Sequence, residues 1–67
     1  MWATIIELND KNLKVCEDIA KKDKTFIFVK KEGKIIIYSE TIDQAWKRGY
    51  WLKHKANAKS FSILKVK

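Results

Sequence analysis

The chain has 67 residues, a formal net charge of +7, one cysteine and no proline. This length corresponds to one small domain (residues 1–67), close to the lower limit at which a hydrophobic core is stable without disulfides or a bound metal ion. A single cysteine excludes an internal disulfide and a zinc site built from cysteine alone, which favours a reducing, cytoplasmic setting. No apolar run approaches the roughly 20 residues of a membrane span, and the N-terminus does not resemble a signal peptide.

The positive charge is concentrated in the second half of the chain. Residues 1–33 carry seven lysines against six acids, whereas residues 34–67 carry eight basic residues against two acids. From Gln44 onward there are seven basic residues and no acid. This asymmetry predicts a polyanionic partner, which is nucleic acid, an acidic protein surface or an anionic membrane. The alternative is a lysine-rich surface that serves solubility alone.

The first part of the chain predicts a strand followed by a helix. Residues 2–8 are rich in β-branched side chains and read as a strand. Asn9 or Asp10 can cap a helix over residues 11–22, in which apolar side chains recur at helical spacing. Cys16 falls on this apolar face, so it is expected to be a small core residue and not a reactive thiol.

A hairpin follows, with strands at residues 25–31 and 34–39 joined by a turn at Glu32 and Gly33. Both strands are apolar on both faces, and such strands are normally covered on both sides. Two short helices cover only one face of a sheet. We therefore expect the other face to be buried by self-association, as a homodimer, or by a partner.

A second helix is predicted to begin at a capping box. In it the hydroxyl of Thr41 accepts a hydrogen bond from the backbone N–H three residues later, and the side chain of Gln44 reaches back to the N–H of Thr41. This helix is predicted over residues 41–59, and residues 60–66 form the last strand. The order is βαββαβ. The predicted fold class is α+β, a four-stranded antiparallel sheet with two helices on one face (the ferredoxin-like split βαβ).

At 100° per residue, the second helix divides into a core arc and a basic face. The predicted core arc contains Ile42, Ala45, Trp46, Gly49, Leu52 and Ala56. Trp51 falls about 180° from Ile42, among basic residues, where an exposed tryptophan indicates a contact site. Lys53 falls inside the apolar arc, which leaves a second interpretation: the helix breaks near Leu52 and Trp51 folds back into the core.

The sequence contains no constellation typical of catalysis. There is no glycine-rich phosphate loop, no nucleophile beside a base and no close acidic pair in a plausible cleft. His54 has no cysteine, histidine or acid at metal-ligand spacing. The protein is therefore predicted to be a non-enzyme without cofactor or metal.

Residues 38–51, YSETIDQAWKRGYW, resemble the small inhibitors of host RNA polymerase made by T-odd phages. That family has Tyr-x-Glu-Thr, an apolar residue, Asp, an acid and Ala at a strand-to-helix junction, and a tryptophan at the position of Trp51. Its last strand begins with Phe and ends basic-Val-basic, like Phe61 and residues 65–67. The resemblance implies a phage-encoded protein in the host cytoplasm, with Lys65 and Lys67 contacting the polymerase.

A second resemblance is to the N-terminal hybrid-binding module of some ribonucleases H, through IIIY, a tryptophan-bearing helix, Gly-Tyr and AKSF. In that module aromatic and lysine side chains hold an RNA–DNA duplex. The RNA-recognition motif also has βαββαβ order, but here its strands would offer only Tyr38 for base stacking.

Together these patterns predict a binding protein whose basic C-terminal half contacts nucleic acid, mainly through phosphate and with low sequence specificity. The alternative is a phage-encoded protein–protein inhibitor that docks on an acidic surface of a host enzyme such as RNA polymerase. The candidate contact residues are Lys47, Arg48, Tyr50, Trp51, His54, Lys55, Lys59, Lys65 and Lys67.

Overall fold

The computed structural model describes residues 1–55 and 60–66 and confirms the predicted α+β fold with βαββαβ order. The elements are β1 (Trp2–Glu7), α1 (Asp10–Lys22), β2 (Ile27–Lys31), β3 (Lys34–Ser39), α2 (Ile42–Lys55) and β4 (Ser62–Lys65). Each differs from its predicted bounds by no more than two residues where the chain is described. The predicted continuation of the second helix to residue 59 lies outside the described residues.

The four strands form one open antiparallel sheet in the order β2-β3-β1-β4. β1 lies in the middle and pairs with β3 on one side and β4 on the other. This is the strand order of the split-βαβ arrangement, in which both helices pack on the same face of the sheet. The edges of the sheet are the short strands β2 and β4.

β2 begins two residues later than predicted because the chain makes a local turn first. The N–H and hydroxyl of Thr25 both donate to Oδ1 of Asp23, at 2.9 and 2.6 Å. Asp23 is also the C-cap of α1, where its N–H donates to the carbonyl of Ile19. The side-chain turn uses the donor groups of Thr25 locally, so the ladder with β3 starts only at Ile27.

The cap of α2 forms as predicted at Thr41 but differs at Gln44. Thr41 Oγ1 accepts from the N–H of Gln44 at 3.2 Å. Gln44 Oε1 accepts from the N–H of Glu40 at 3.3 Å, one residue before the predicted donor at Thr41. Glu40 is the first residue after β3, so its N–H has left the sheet ladder and is free to donate.

One face of the sheet and the two helices enclose the core. Thr4 and Ile6 of β1 point toward the helices, opposite Ile37 and Ile35 of β3. The buried cluster consists of Ile6, Cys16, Phe26, Ile35, Ile37 and Leu52.

Within residues 1–55 and 60–66, no helix packs on the opposite face of the sheet. Side chains alternate along each strand, so every second residue points to this face and away from the core. We call it the open face and define it by eight positions in the two middle rows of the sheet: Ala3, Ile5, Ile27, Val29, Ile36, Tyr38, Ser62 and Leu64. Seven of these eight side chains are apolar or aromatic.

Cys16 is fully buried in the core cluster, as predicted from its place on the apolar face of α1. Burial, and secondly the charge of Glu17, raise the pKa of its thiol to about 11. With that pKa only about 0.1% of the thiol is ionised at pH 8, and the thiolate is the reactive form.

We therefore expect the native protein to resist a thiol-specific reagent at pH 8, because the sulfur is both protonated and inaccessible. Labelling should accelerate sharply once urea unfolds the chain, and mass spectrometry of quenched samples measures both rates. Glutathione in the same solution serves as the reference thiol. Native labelling as fast as that of glutathione would contradict this assignment.

Candidate functional site

The buried side of α2 consists of Ala45, Gly49 and Leu52, and it lies close to the sheet. Ala45 and Leu52 are fully buried, and Gly49 between them is buried as well. The hydroxyl of Thr4 in β1 donates to the carbonyl of Ala45 at 3.0 Å. A Cβ atom placed on Gly49 would lie only 2.5 Å from the ring of Phe61. Only a glycine at this position allows helix and ring to approach as they do.

This contact corrects the predicted core arc of α2. Ile42 and Trp46 were expected in the core, but both are exposed, Trp46 by 44%. At 100° per residue, the centre of the buried triplet Ala45–Gly49–Leu52 lies about 90° from Trp46. Small side chains allow the backbone to approach the sheet, whereas a tryptophan would hold it away, so the small residues face inward. Ala56, the last residue of the predicted arc, lies outside the described residues.

The same rotation removes the conflict at Lys53. On the observed helix this lysine is exposed and follows Trp46 and Tyr50 along the flank of α2 that faces β4. No break is needed, and α2 continues through Lys53 to Lys55. Trp51 is 43% exposed. The interpretation in which the helix breaks and Trp51 enters the core is therefore wrong.

Trp46, Tyr50 and Phe61 form an aromatic cluster on the β4 flank of α2. The Trp46 and Tyr50 rings stack, with centroids 5.8 Å apart and planes 29° apart. Both meet the ring of Phe61 edge-on, at 5.5 and 5.4 Å. Phe61 packs inward against the core, while Trp46 and Tyr50 remain about half exposed. The cluster is thus an aromatic surface supported from below.

Trp51 lies on the opposite flank of α2, at a cleft of about 260 Å³ between the two helices. Ile19, Phe26 and Leu52 line the cleft with apolar side chains, and Asp23, Lys47 and Arg48 line it with charged ones. Hydrogen bonds from Thr25, and to a smaller extent the charge of Arg48, hold the pKa of Asp23 below its ordinary value. The carboxylate of Asp23 therefore stays ionised at neutral pH.

Arg48, a predicted contact residue, is used inside the fold. Its Nη1 donates to the carbonyl of Tyr38 and to Oγ of Ser39, both at 2.9 Å. Its guanidinium lies over the ring of Phe26, 5.3 Å from the centroid. These contacts tie α2 to the end of β3. Arg48 is half-buried, and the chain has no other arginine.

Five of the predicted contact residues lie together on the solvent side of α2: Lys47, Tyr50, Trp51, His54 and Lys55, all exposed. Lys65 is also exposed but is separate, because it pairs with Trp2 at the end of the sheet where α2 begins. The helix is about 20 Å long, so Lys65 lies far from Lys55. Lys59 and Lys67 lie outside the described residues.

Trp46 and Lys53 belong to this surface and Phe61 supports it from below, but none of the three was among the predicted contacts. The signal that would have found them is the Ala45–Gly49 pair, two small residues four apart that mark the side of a helix in closest contact with a sheet. Centring the core on that pair places Trp46 and Tyr50 on one flank, four residues apart, where side chains of a helix meet.

Within residues 1–55 and 60–66, no three or more His, Cys, Asp or Glu residues are grouped so that they could hold a metal ion. In the same part of the chain, neither helix has the length and apolar character needed to cross a membrane. Comparisons with models of protein families, with curated proteins and with solved structures found no match to this chain. The two family resemblances noted in the sequence therefore remain predictions.

The contact between Gly49 and Phe61 predicts an unusual result for Gly49→Ala. Alanine favours a helix by about 1 kcal/mol, but crowding the ring should cost about 1–3 kcal/mol, giving a net loss of stability near 1 kcal/mol. Urea unfolding measures it. In a Phe61→Ala background the obstacle is gone, so the same substitution should stabilise. Equal stabilisation in both backgrounds would show that the ring does not limit this position.

The internal role of Arg48 predicts that Arg48→Ala lowers the free energy of unfolding by about 2 kcal/mol, since it removes two charge-assisted hydrogen bonds. Its neighbour Lys47 is exposed and provides the control: Lys47→Ala removes the same charge but should change stability by less than about 0.5 kcal/mol. Urea denaturation of both variants compares them. Equal effects would mean that Arg48 contributes only its charge.

Proposed function

We propose that this protein is a non-enzymatic binder of single-stranded nucleic acid, and that the exposed surface of α2 is its contact surface. The observation that carries the proposal is the composition of that surface. Within Ile42–Lys55, α2 exposes three aromatic rings, three lysines and a histidine, with no acid after Asp43. Lysines attract and neutralise phosphates, and exposed rings provide faces on which bases stack.

Single strands fit this surface better than duplexes. In a duplex the faces of the bases are stacked on one another, whereas an unpaired base can stack on an aromatic side chain. Trp46 and Tyr50 present a supported aromatic surface on one flank of α2, and Trp51 lies on the other. A strand that crosses the helix therefore meets rings on both sides and lysines, such as Lys47, between them.

Low sequence specificity follows from the kinds of side chain involved. Bidentate recognition of a base edge is the usual task of arginine, and the single arginine is engaged with Tyr38 and Ser39 inside the fold. The exposed cations of α2 are lysines, which act on phosphate as point charges. Affinity should therefore depend on salt more than on base sequence.

The sheet is not the proposed contact surface. Sheets that bind RNA in the manner of the RNA-recognition motif stack bases on several aromatic side chains. The open face has a single aromatic residue, Tyr38, surrounded by aliphatic residues such as Ile27 and Ile36. It also has no cation among its eight positions. This face suits a different partner from that of α2.

The alternative proposal is a protein–protein inhibitor, phage-encoded, that docks on an acidic surface of a host enzyme such as RNA polymerase. The feature in its favour is the β4 flank of α2, where apolar Ile42, Trp46 and Tyr50 form an exposed stripe next to Lys53. Aromatic residues are enriched in the cores of protein interfaces. The two functions differ in whether an oligonucleotide alone is sufficient for binding.

The test is binding of a fluorescent 20-nucleotide oligothymidine, followed by anisotropy from about 50 to 300 mM salt. We expect Lys47→Ala/Lys55→Ala to weaken binding. The steepness of log affinity against log salt concentration should fall by about 1.4, because each lost phosphate contact on a single strand contributes about 0.7. Tyr50→Ala should weaken binding about tenfold through lost stacking.

The matched control is Lys11→Ala/Lys14→Ala, which removes the same charge from exposed positions on α1. It should keep the slope of the unmodified protein. If both double variants lost the same affinity for the oligonucleotide, binding would depend only on the net charge of the protein, which would contradict a site on α2. No binding at about 50 mM salt, where phosphate contacts are strongest, would refute the nucleic-acid proposal and favour the protein partner.

A further inference from the structure

The open face is an apolar layer with charges only at its ends. Ile27, Val29 and Leu64 on the edge strands are exposed, and Ile5, Ile36 and Tyr38 between them are half-buried. None of the eight positions carries a charge. Because the register pairs them directly across neighbouring strands, they form one continuous patch and not scattered contacts. The largest apolar patch on the surface of a monomer is often a functional one.

The charges at the two ends of the open face have opposite signs. At one end Lys31 of β2 lies directly opposite Lys34 of β3, with Glu7 of β1 opposite Lys34 on the other side. At the other end, Glu40 lies two residues after Tyr38 and lines a cleft together with Met1 and Ile27. Arg48 also lines this cleft, but its Nη1 donates to the carbonyl of Tyr38 and the hydroxyl of Ser39. The patch is therefore neutral in the middle, with two lysines and the carboxylate of Glu7 at one end, a net charge of +1, and the carboxylate of Glu40 at the other.

We propose that a second copy of this chain covers the open face. The two sheets pack face to face, related by a two-fold axis that runs in the plane of the interface and perpendicular to the strands. This axis places the Lys31–Lys34 end of each copy against the Glu40 end of the other. A surface that is apolar in the middle and oppositely charged at its ends is complementary to itself in this orientation.

The distribution of charge over the rest of the molecule permits this pairing. A net charge of +7 opposes self-association, but the cations of α2 lie on the helical side of the sheet, away from the interface. The second copy adds another sheet about 10 Å away and leaves both α2 helices outermost. The proposal does not depend on nucleic-acid binding.

The size of the patch favours a reversible dimer. Four strands about 4.8 Å apart and about five residues long on average give a face of roughly 330 Å². Stable interfaces commonly bury about 800 Å² on each partner, so this one is small. The dimer should accordingly dissociate on dilution.

Sedimentation equilibrium from about 1 µM to 1 mM tests the proposal, and the mass should rise toward that of a dimer with concentration. The matched variants are Val29→Lys on the open face and Ile42→Lys on α2, since both side chains are 40% exposed and both changes add one charge. Val29→Lys should remain monomeric while Ile42→Lys still dimerises. Circular dichroism checks that each variant is folded. A strict monomer at 1 mM, or equal dissociation of both variants, would overturn the proposal.

A charge exchange tests the orientation. Lys34→Glu and Glu40→Lys should each weaken the dimer, because each places like charges against each other across the two-fold axis. The double variant Lys34→Glu/Glu40→Lys restores opposite charges and should recover the dimer. If the double variant is weaker than both single ones, the charge-paired orientation is wrong.

Discussion

The close contact of α2 with β1 and Phe61 determines most of what this molecule presents to solvent. Ala45 and Gly49 allow the helix backbone to approach the sheet, and the hydrogen bond from Thr4 to the carbonyl of Ala45 fixes its rotation. Once that rotation is set, every other side chain of α2 has a defined direction. Trp46 and Tyr50 extend over Phe61 toward β4, and Trp51 extends toward α1. Helix packing and surface composition are consequences of the same contact.

The fold separates two kinds of surface on opposite sides of one sheet. The helical side carries lysines and exposed rings, whereas the open face is aliphatic and uncharged in its middle rows. Arg48 stabilises this division, because it joins α2 to the end of β3 and covers Phe26. The two proposed contacts, of α2 with nucleic acid and of the open face with a second copy, therefore use surfaces that do not overlap.

The element order, the hairpin, the cap at Thr41 and the buried Cys16 could be predicted from the sequence, because each follows from local periodicity or turn chemistry. The rotation of α2 could not be predicted as easily, since hydrophobicity alone assigns Trp46 to the core. The deciding factor was shape: small residues allow close approach, and Phe61, twelve residues after Gly49, occupies the adjacent space. The role of Arg48 depends on carbonyl and hydroxyl groups of β3, which composition does not reveal.

The central position of β1 also determines when the sheet can be completed. β1 pairs with β4 through Trp2 and Lys65, which are 63 positions apart in the sequence, so its second ladder forms only once β4 is available. Closing such distant contacts costs loop entropy before any burial compensates for it, and folds dominated by them fold slowly. Until β4 arrives, the edge of β1 is an unpaired strand of Trp, Ala, Thr and Ile residues, a template for pairing with another chain during synthesis.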